Sequence, residues 1–266
     1  MNDDQLERLR AVLREMAPVV TAFSGGADSA FLAWVAHDTL GSDQASAVTA
    51  VSPSLAGDEL ADCRALAQEW QLEWSTVETN ELEDPSYIAN DGLRCYHCKS
   101  ALMEALEPFT DVTVMLGVNL DDLGDHRPGQ QAAAERGARF PLVEARFTKA
   151  DVREWSRRLG LRTWDKPAAA CLSSRLPYGT PVSIGVLSRV EKAEAALHRL
   201  GFASLRVRHY GDVARIEVPI DEVAELVAQR DAVVEVVKAA GYQYVTVDLE
   251  GLRSGNLNAA LSLDAR

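Results

Sequence analysis

The chain has 266 residues, 47% hydrophobic and 25% charged, with a formal net charge of −13. That is room for one large or two modest domains with a real core, in a composition too apolar for a disordered chain. A surface this negative disfavours a nucleic-acid partner, and no apolar run approaches the roughly 20 residues that span a bilayer.

Leu6, Leu9, Val12 and Leu13 fall at helical spacing and predict an amphipathic helix over residues 3–15. A strand is expected over 18–23, from Pro18-Val19-Val20-Thr21-Ala22-Phe23, and it stops at Ser24-Gly25-Gly26. A helix over 28–40 follows at once. Strand, glycine turn and helix in that order aim the first-turn amides at whatever sits above the strand end, where the helix dipole favours an anion. Ser24 and Ser29 can add hydroxyl donors. No Lys follows the glycines, so this is not the loop that grips phosphate with an ammonium group. Asp28 stands inside the cradle instead, where a carboxylate suits a magnesium ion bridging to the phosphates.

Strands over 45–51 and 72–77, with a helix over 57–70 between them, complete a βαβαβ order. Such an order predicts an α/β fold, a doubly wound parallel sheet whose ligand lies beyond the carboxyl ends of its strands. Ser52 falls at one such end. Residues 78–93 lose periodicity and deliver Arg94-Cys95-Tyr96-His97-Cys98-Lys99 into a helix ending near Leu106. A loop of that length inside a domain is more often functional than not. A fourth strand over 112–118 runs out into Gly117, Asn119, Asp121, Asp122, Asp125, His126 and Arg127, a polar set at a strand end where the ligand would lie. A helix follows over 130–137, and Thr148-x-x-Asp151 opens another in capping-box style.

Around Asp165-Lys166-Pro167 the pattern changes to a small, turn-like stretch, Ala168 to Gly179, which contains Cys171, Ser173, Ser174 and Arg175. Beyond it a helix over 187–200, strands over 203–209 and 213–218, a helix over 220–239 and a strand over 242–249 form a smaller α+β domain. The expected domains are residues 1–166 and 167–266.

Met1-Asn2-Asp3-Asp4-Gln5 lacks the basic start of a signal peptide, so a cytoplasmic setting with reduced thiols is expected. Cys95-x-x-Cys98 alone is compatible with half a zinc site, a redox pair or part of a cluster. With Cys171 it makes three thiols, which fit a [4Fe–4S] cluster with one open iron or, with His97 or His126, a Cys₃His zinc site. Cys63, beside Leu60, Leu66 and Ala67 on a helical pattern, reads as core.

Ser24-Gly25-Gly26-x-Asp28-Ser29 resembles the pyrophosphate loop of the PP-loop ATP pyrophosphatase superfamily. Further motifs are Arg94-Cys95-x-x-Cys98-Lys99, Gly117-x-Asn119-x-Asp121-Asp122-x-x-Asp125-x-Arg127-Pro128-Gly129, Ala170 to Gly179, Glu191-x-x-Glu194, Arg206-x-Arg208 and Arg253-Ser254-Gly255-x-x-Asn258. Together they resemble the LarE-type ATP-dependent sulfur transferases. The resemblance implies an enzyme that adenylylates the carboxylates of pyridinium-3,5-biscarboxylic acid mononucleotide, releases pyrophosphate and installs sulfur, for the nickel-pincer nucleotide cofactor of lactate racemase. It implies partners among that pathway's proteins, a homo-oligomer, and sulfur either from Cys171 itself or from a cluster on Cys95, Cys98 and Cys171, of which the three cysteines favour the cluster. Arg206 and Arg208, two apart on a strand, share a face suited to the substrate phosphate, with Arg127, Ser174, Arg175 and Glu194 as further substrate contacts. The competing readings are a tRNA thiolase of the same superfamily and a non-catalytic nucleotide-binding module with structural zinc.

Overall fold

The computed structural model describes residues 4–109, 111–124, 128–167 and 170–253. In chain order its main elements are α1 (Asp4–Met16), β1 (Val19–Ala22), α2 (Ala27–Leu40), β2 (Ala45–Val51), α3 (Gly57–Glu69), β3 (Glu73–Glu78), α4 (Pro85–Ile88), α5 (Arg94–Ala105) and β4 (Thr113–Met115). Then come α6 (Pro128–Glu135), α7 (Pro141–Glu144), α8 (Lys149–Arg158), α9 (Ile184–Arg199), β5 (Arg206–Tyr210), β6 (Val213–Glu217), α10 (Val223–Ala228), α11 (Arg230–Ala239) and β7 (Tyr244–Val247). Two compact units result: Met1–Ser52, Gly57–Glu81 and Cys95–Ala169 form one, and Pro53–Ala56, Leu82–Arg94 and Ala170–Arg266 the other. A single cut in the sequence near residue 166 does not anticipate that two short excursions, Pro53–Ala56 and Leu82–Arg94, join the later residues.

In the first unit the strands run in the order β3-β2-β1-β4, all parallel. Alternation along β1 gives each face its own core. Val19 packs with Leu9, Leu13, Phe31, Phe147 and Trp155, whereas Val20 packs with Val48, Leu102 and Leu106. That two-sided burial is why β1 reads as an unbroken apolar run rather than an alternating one. The chain steps outward from β1 through β2 to β3 and returns to the other flank of β1 as β4, so the order reverses between β1 and β4. A parallel sheet opens its ligand crevice at that reversal.

β4 is shorter than its apolar run suggested, ending at Met115 rather than Val118. Its outer side meets a single residue, Arg139, whose N–H donates to the Val114 carbonyl and whose carbonyl accepts from Leu116 N–H. Thr148 caps α8 as its spacing predicted, with Thr148 N–H donating to Asp151 Oδ2 at 2.9 Å and Asp151 N–H to Thr148 Oγ1 at 3.1 Å.

The second unit carries the order β5-β6-β7, β5 antiparallel and β7 parallel to β6. α9 and α11 close one face over Val207, Ala214, Ile216 and Val218. The helix expected over 220–239 is broken: a turn at Ile220–Glu222 precedes α10, and Gln229, at φ −91° and ψ 18°, separates α10 from α11. No glycine or proline marks that break. Among the described residues no helix is long and apolar enough to cross a membrane.

Replacing Thr148 by Ala removes the Oγ1 that accepts from Asp151 N–H and bonds to Asp151 Oδ2, and leaves the backbone half of the capping box in place. It should lower unfolding stability by about 1 kcal/mol, read as a shift in urea midpoint at constant m-value.

Candidate functional site

α2 begins without a side-chain cap, its N-cap being Gly26 at φ −73° and ψ 158°. The first amides of this 14-residue helix are therefore left for another acceptor. Gly25 turns the chain at φ +69°, and a Cβ there would lie 2.9 Å from the Cys63 sulfur beneath it. Ser29 Oγ accepts from Ser24 N–H at 3.2 Å and lies 3.0 Å from Ser24 Oγ, so both hydroxyls face one place. Gly117 comes from the far side of the order reversal. A Cβ there would stand 2.7 Å from Ser29 N and 2.9 Å from the Asp28 carbonyl carbon. The end of β4 is thus pressed against the first turn of α2.

Asp28 is shared between two partners. Its Oδ1 accepts from Asn119 Nδ2 at 3.2 Å, and its Oδ2 is ion-paired with Lys149. Asn119 is buried, and its Oδ1 accepts from Asp121 N–H at 3.0 Å. Its own N–H donates to Asp122 Oδ2 at 3.1 Å. Asp121 Oδ2 accepts from Lys149 N–H at 2.7 Å and so fixes the start of α8. The acidic turn after β4 is therefore a frame that joins Asp28 to α8. Ser52 follows directly on β2, at a strand end as predicted. Arg127 lies outside the described residues, as do Asp125, His126, Ser254, Gly255 and Asn258.

Two lysines flank this cradle, and the sequence reading found neither. Lys149 meets Asp28, and Lys166 Nζ lies 3.6 Å from where a Gly25 Cβ would be. Lys166 donates to Glu59 Oε2 at 2.8 Å and Asp62 Oδ2 at 2.6 Å. Burial opposes its charge, but those two bonds outweigh it and hold its pKa above the ordinary lysine value. A signal for Lys149 was available: a cation in the first turn of a helix opposes the dipole, and this one opens α8 directly after its capping residue. The core reading of Cys63 is met by full burial, which pushes its thiol up to about 11.

In the second unit Arg175 is buried and bound twice to Glu194, Nε to Oε1 at 2.9 Å and Nη2 to Oε2 at 3.0 Å. Its Nη1 donates to the Ala170 carbonyl at 2.6 Å and the Cys171 carbonyl at 3.3 Å. Arg208 is buried too, with Nε 3.0 Å from Glu217 Oε2 and Nη1 donating to the Ser174 carbonyl at 2.7 Å. Glu217, a lone carboxylate in an apolar strand, escaped the sequence reading. Arg206 shares the strand face with Arg208. Its Nη1 donates to the Arg253 carbonyl at 3.2 Å, and its pKa is lowered by burial and by the neighbouring charges of Arg208 and Arg175. A guanidinium in that condition is the member of the set that gains most from an added anion.

Cys95 and Cys98 stand one turn apart on α5 in the first unit, and Cys171 belongs to the second. All three are free thiols, with Cys95 and Cys171 exposed. Among the described residues no group of three or more His, Cys, Asp or Glu side chains is arranged to hold a metal ion.

A family profile described as NAD synthase matches residues 6–91, the portion that contains the glycine turn. The chain is 46% identical over 268 residues to an uncharacterized protein of Synechocystis sp., covering 98% of this chain and 100% of that one. It is 36% identical over 258 residues to the pyridinium-3,5-bisthiocarboxylic acid mononucleotide synthase of Lactiplantibacillus plantarum, covering 96% and 94%. An uncharacterized protein of Methanocaldococcus jannaschii is 26% identical over 240 residues.

Gly117→Ala should push the α2 first turn out of place, since its Cβ would meet backbone at 2.7 Å. Affinity for a non-hydrolysable ATP analogue, measured by calorimetry, should fall on the order of tenfold or more. Gly185→Ala, whose Cβ meets nothing within 4 Å, should leave it unchanged.

Proposed function

The chain belongs to the family of the pyridinium-3,5-bisthiocarboxylic acid mononucleotide synthase, the LarE-type sulfur transferases of PP-loop fold, and from that premise we propose that it adenylylates the carboxylates of pyridinium-3,5-biscarboxylic acid mononucleotide and converts them to thiocarboxylates. The observation that carries the reading is the uncapped α2 terminus with Ser24, Ser29 and Asp28 around it. A carboxylate oxygen attacks the α-phosphorus of ATP, pyrophosphate leaves, and the acyl carbon gains AMP as leaving group. A sulfur nucleophile then adds to that carbon and AMP departs. The α2 amides and the Ser24 and Ser29 hydroxyls are placed to take the charge that develops on pyrophosphate.

Asp28 and the acidic frame fit magnesium in donor chemistry, and the metal would supply charge neutralisation at the phosphates. Asp28 is already paired with Lys149, so its role there requires an exchange of partners. With the metal bound, Asp28 would be among its ligands and Lys149 would be left to pair with a phosphate oxygen, so that each charge would keep an opposite one. Ser52, Gly117, Asn119, Asp121 and Asp122 complete this ATP site, and Arg206 takes the substrate phosphate beside Arg208, which Glu217 and the Ser174 carbonyl hold in place. Arg127 remains the further contact that the family resemblance assigns to it.

For the sulfur we favour a [4Fe–4S] cluster on Cys95, Cys98 and Cys171, whose open iron would supply a bound sulfide. Cys95 and Cys98, a helical turn apart, support it, since a sacrificial Cys171 has no need of them. On family membership alone we extend the reading to a cytoplasmic homo-oligomer, serving the nickel-pincer cofactor of lactate racemase alongside other proteins of that pathway.

Lys149→Met should reduce pyrophosphate release by on the order of a hundredfold, with Lys149→Arg in between; release at the native rate would remove Lys149 from the site. After turnover, intact mass spectrometry should show Cys171 unchanged. A loss there of about 34 Da, the mass of H₂S expelled in β-elimination, would mean that Cys171 itself surrendered the sulfur.

A further inference from the structure

Cys171 begins a segment, through Val182, whose only regular structure is a single 3₁₀ turn at Leu172–Arg175. The two excursions of the chain hold it. Ser54 carbonyl accepts from Leu172 N–H at 2.9 Å, and Ile88 carbonyl from Val182 N–H at 2.9 Å. Three buried hydroxyls close a ring, Tyr87 Oη 2.6 Å from both Ser54 Oγ and Ser173 Oγ, which are 3.0 Å from each other. Asn90, at φ 54° and fully buried, donates from Nδ2 to the carbonyls of Pro177 at 2.8 Å and Thr180 at 2.9 Å.

Arg94 joins these contacts to the thiol. Its side chain is buried, and Nη1 donates to Asn90 Oδ1 at 2.6 Å and to the Ser173 carbonyl at 2.9 Å, two residues beyond Cys171. Its guanidinium carbon lies 5.9 Å from the Tyr178 ring centroid, over the same segment. The other side of Cys171 is held by Arg175, through the Ala170 and Cys171 carbonyls. Backbone clamped on both sides leaves the thiol exposed but the Cα path fixed. Desolvating a guanidinium to bind a loop carbonyl is costly, and a loop that merely covered a core would not call for it. From these contacts we propose that Arg94 is a positioning residue for Cys171, setting where its sulfur stands rather than touching substrate. The proposal rests on the sulfur-transfer reading above for its consequence, and on the contacts of Arg94 for its geometry. A shift of the Cys171 sulfur would shift the cluster that it would ligate, and a sulfur donor misplaced by about 1 Å costs on the order of a hundredfold in rate, so the clamp acts on the second half-reaction and not on ATP cleavage.

The test compares full-length Arg94→Met and Arg94→Lys with the unaltered protein. Arg94→Met should release pyrophosphate at a rate within about twofold and with KM for ATP unchanged, while kcat for thiocarboxylate formation falls roughly tenfold to a hundredfold. Arg94→Lys, which can still reach one carbonyl, should recover part of the loss. In metal-free protein, iodoacetamide should alkylate Cys171 several-fold faster in Arg94→Met, read by peptide mass, with Cys95 unaffected. Thiocarboxylate formation at the native rate, unchanged Cys171 alkylation, or pyrophosphate release that falls in step with sulfur transfer would each overturn the assignment. If the unaltered protein releases no pyrophosphate, the sulfur-transfer reading fails, and the alkylation rates still decide whether Arg94 positions Cys171. Should Arg94→Met not fold, Arg94→Lys and Asn90→Asp carry the same comparison.

Discussion

Gly117 and Ser29 come from opposite sides of the point where the strand order turns back, and there is no room between them for a methyl group. That approach sets how near the turn after β4 comes to α2. It brings the polar turn after β4 within reach of the first turn of α2, so Asn119 can hold Asp28 and Asp121 can hold the start of α8. A side chain at position 117 would separate the uncapped amides from the groups that complete their site.

Charge in the first unit follows from this geometry. A helix terminus left open for an anion sits beside a carboxylate, an arrangement unfavourable in the absence of a cation. Lys149 supplies that cation, and Lys166 stands on the other side of the glycine turn with two carboxylates of its own. Both ammonium groups are thus held in place by carboxylate partners.

The second unit solves a different problem with the same means. Its turn-rich Cys171 segment has too little regular structure to hold itself, and the arginines Arg94, Arg175 and Arg208 donate to its carbonyls. Glu194 and Glu217 hold two of those arginines in place, so the carboxylates act on the segment through the guanidinium groups. Arg206 shares the face of Arg208 and carries a pKa depressed by burial and by like charge.

Periodicity and turn residues determined the order of elements, because apolar spacing and glycine act locally: the β1–glycine–α2 unit, the Thr148 cap and the α+β order of the second part were all legible. So was the cradle at Ser24–Ser29, since strand, glycines and helix are adjacent in the chain. Four things were decided by tertiary structure. Lys149 and Lys166 reach the cradle from more than a hundred residues away, and the excursions Pro53–Ala56 and Leu82–Arg94 pack with residues far downstream. Arg175 and Arg208, alike in sequence to ligand-binding arginines, are paired within the protein. The break at Gln229 has no breaker residue. In each case what decides is a partner brought near by folding, and sequence spacing carries no information about a partner's distance.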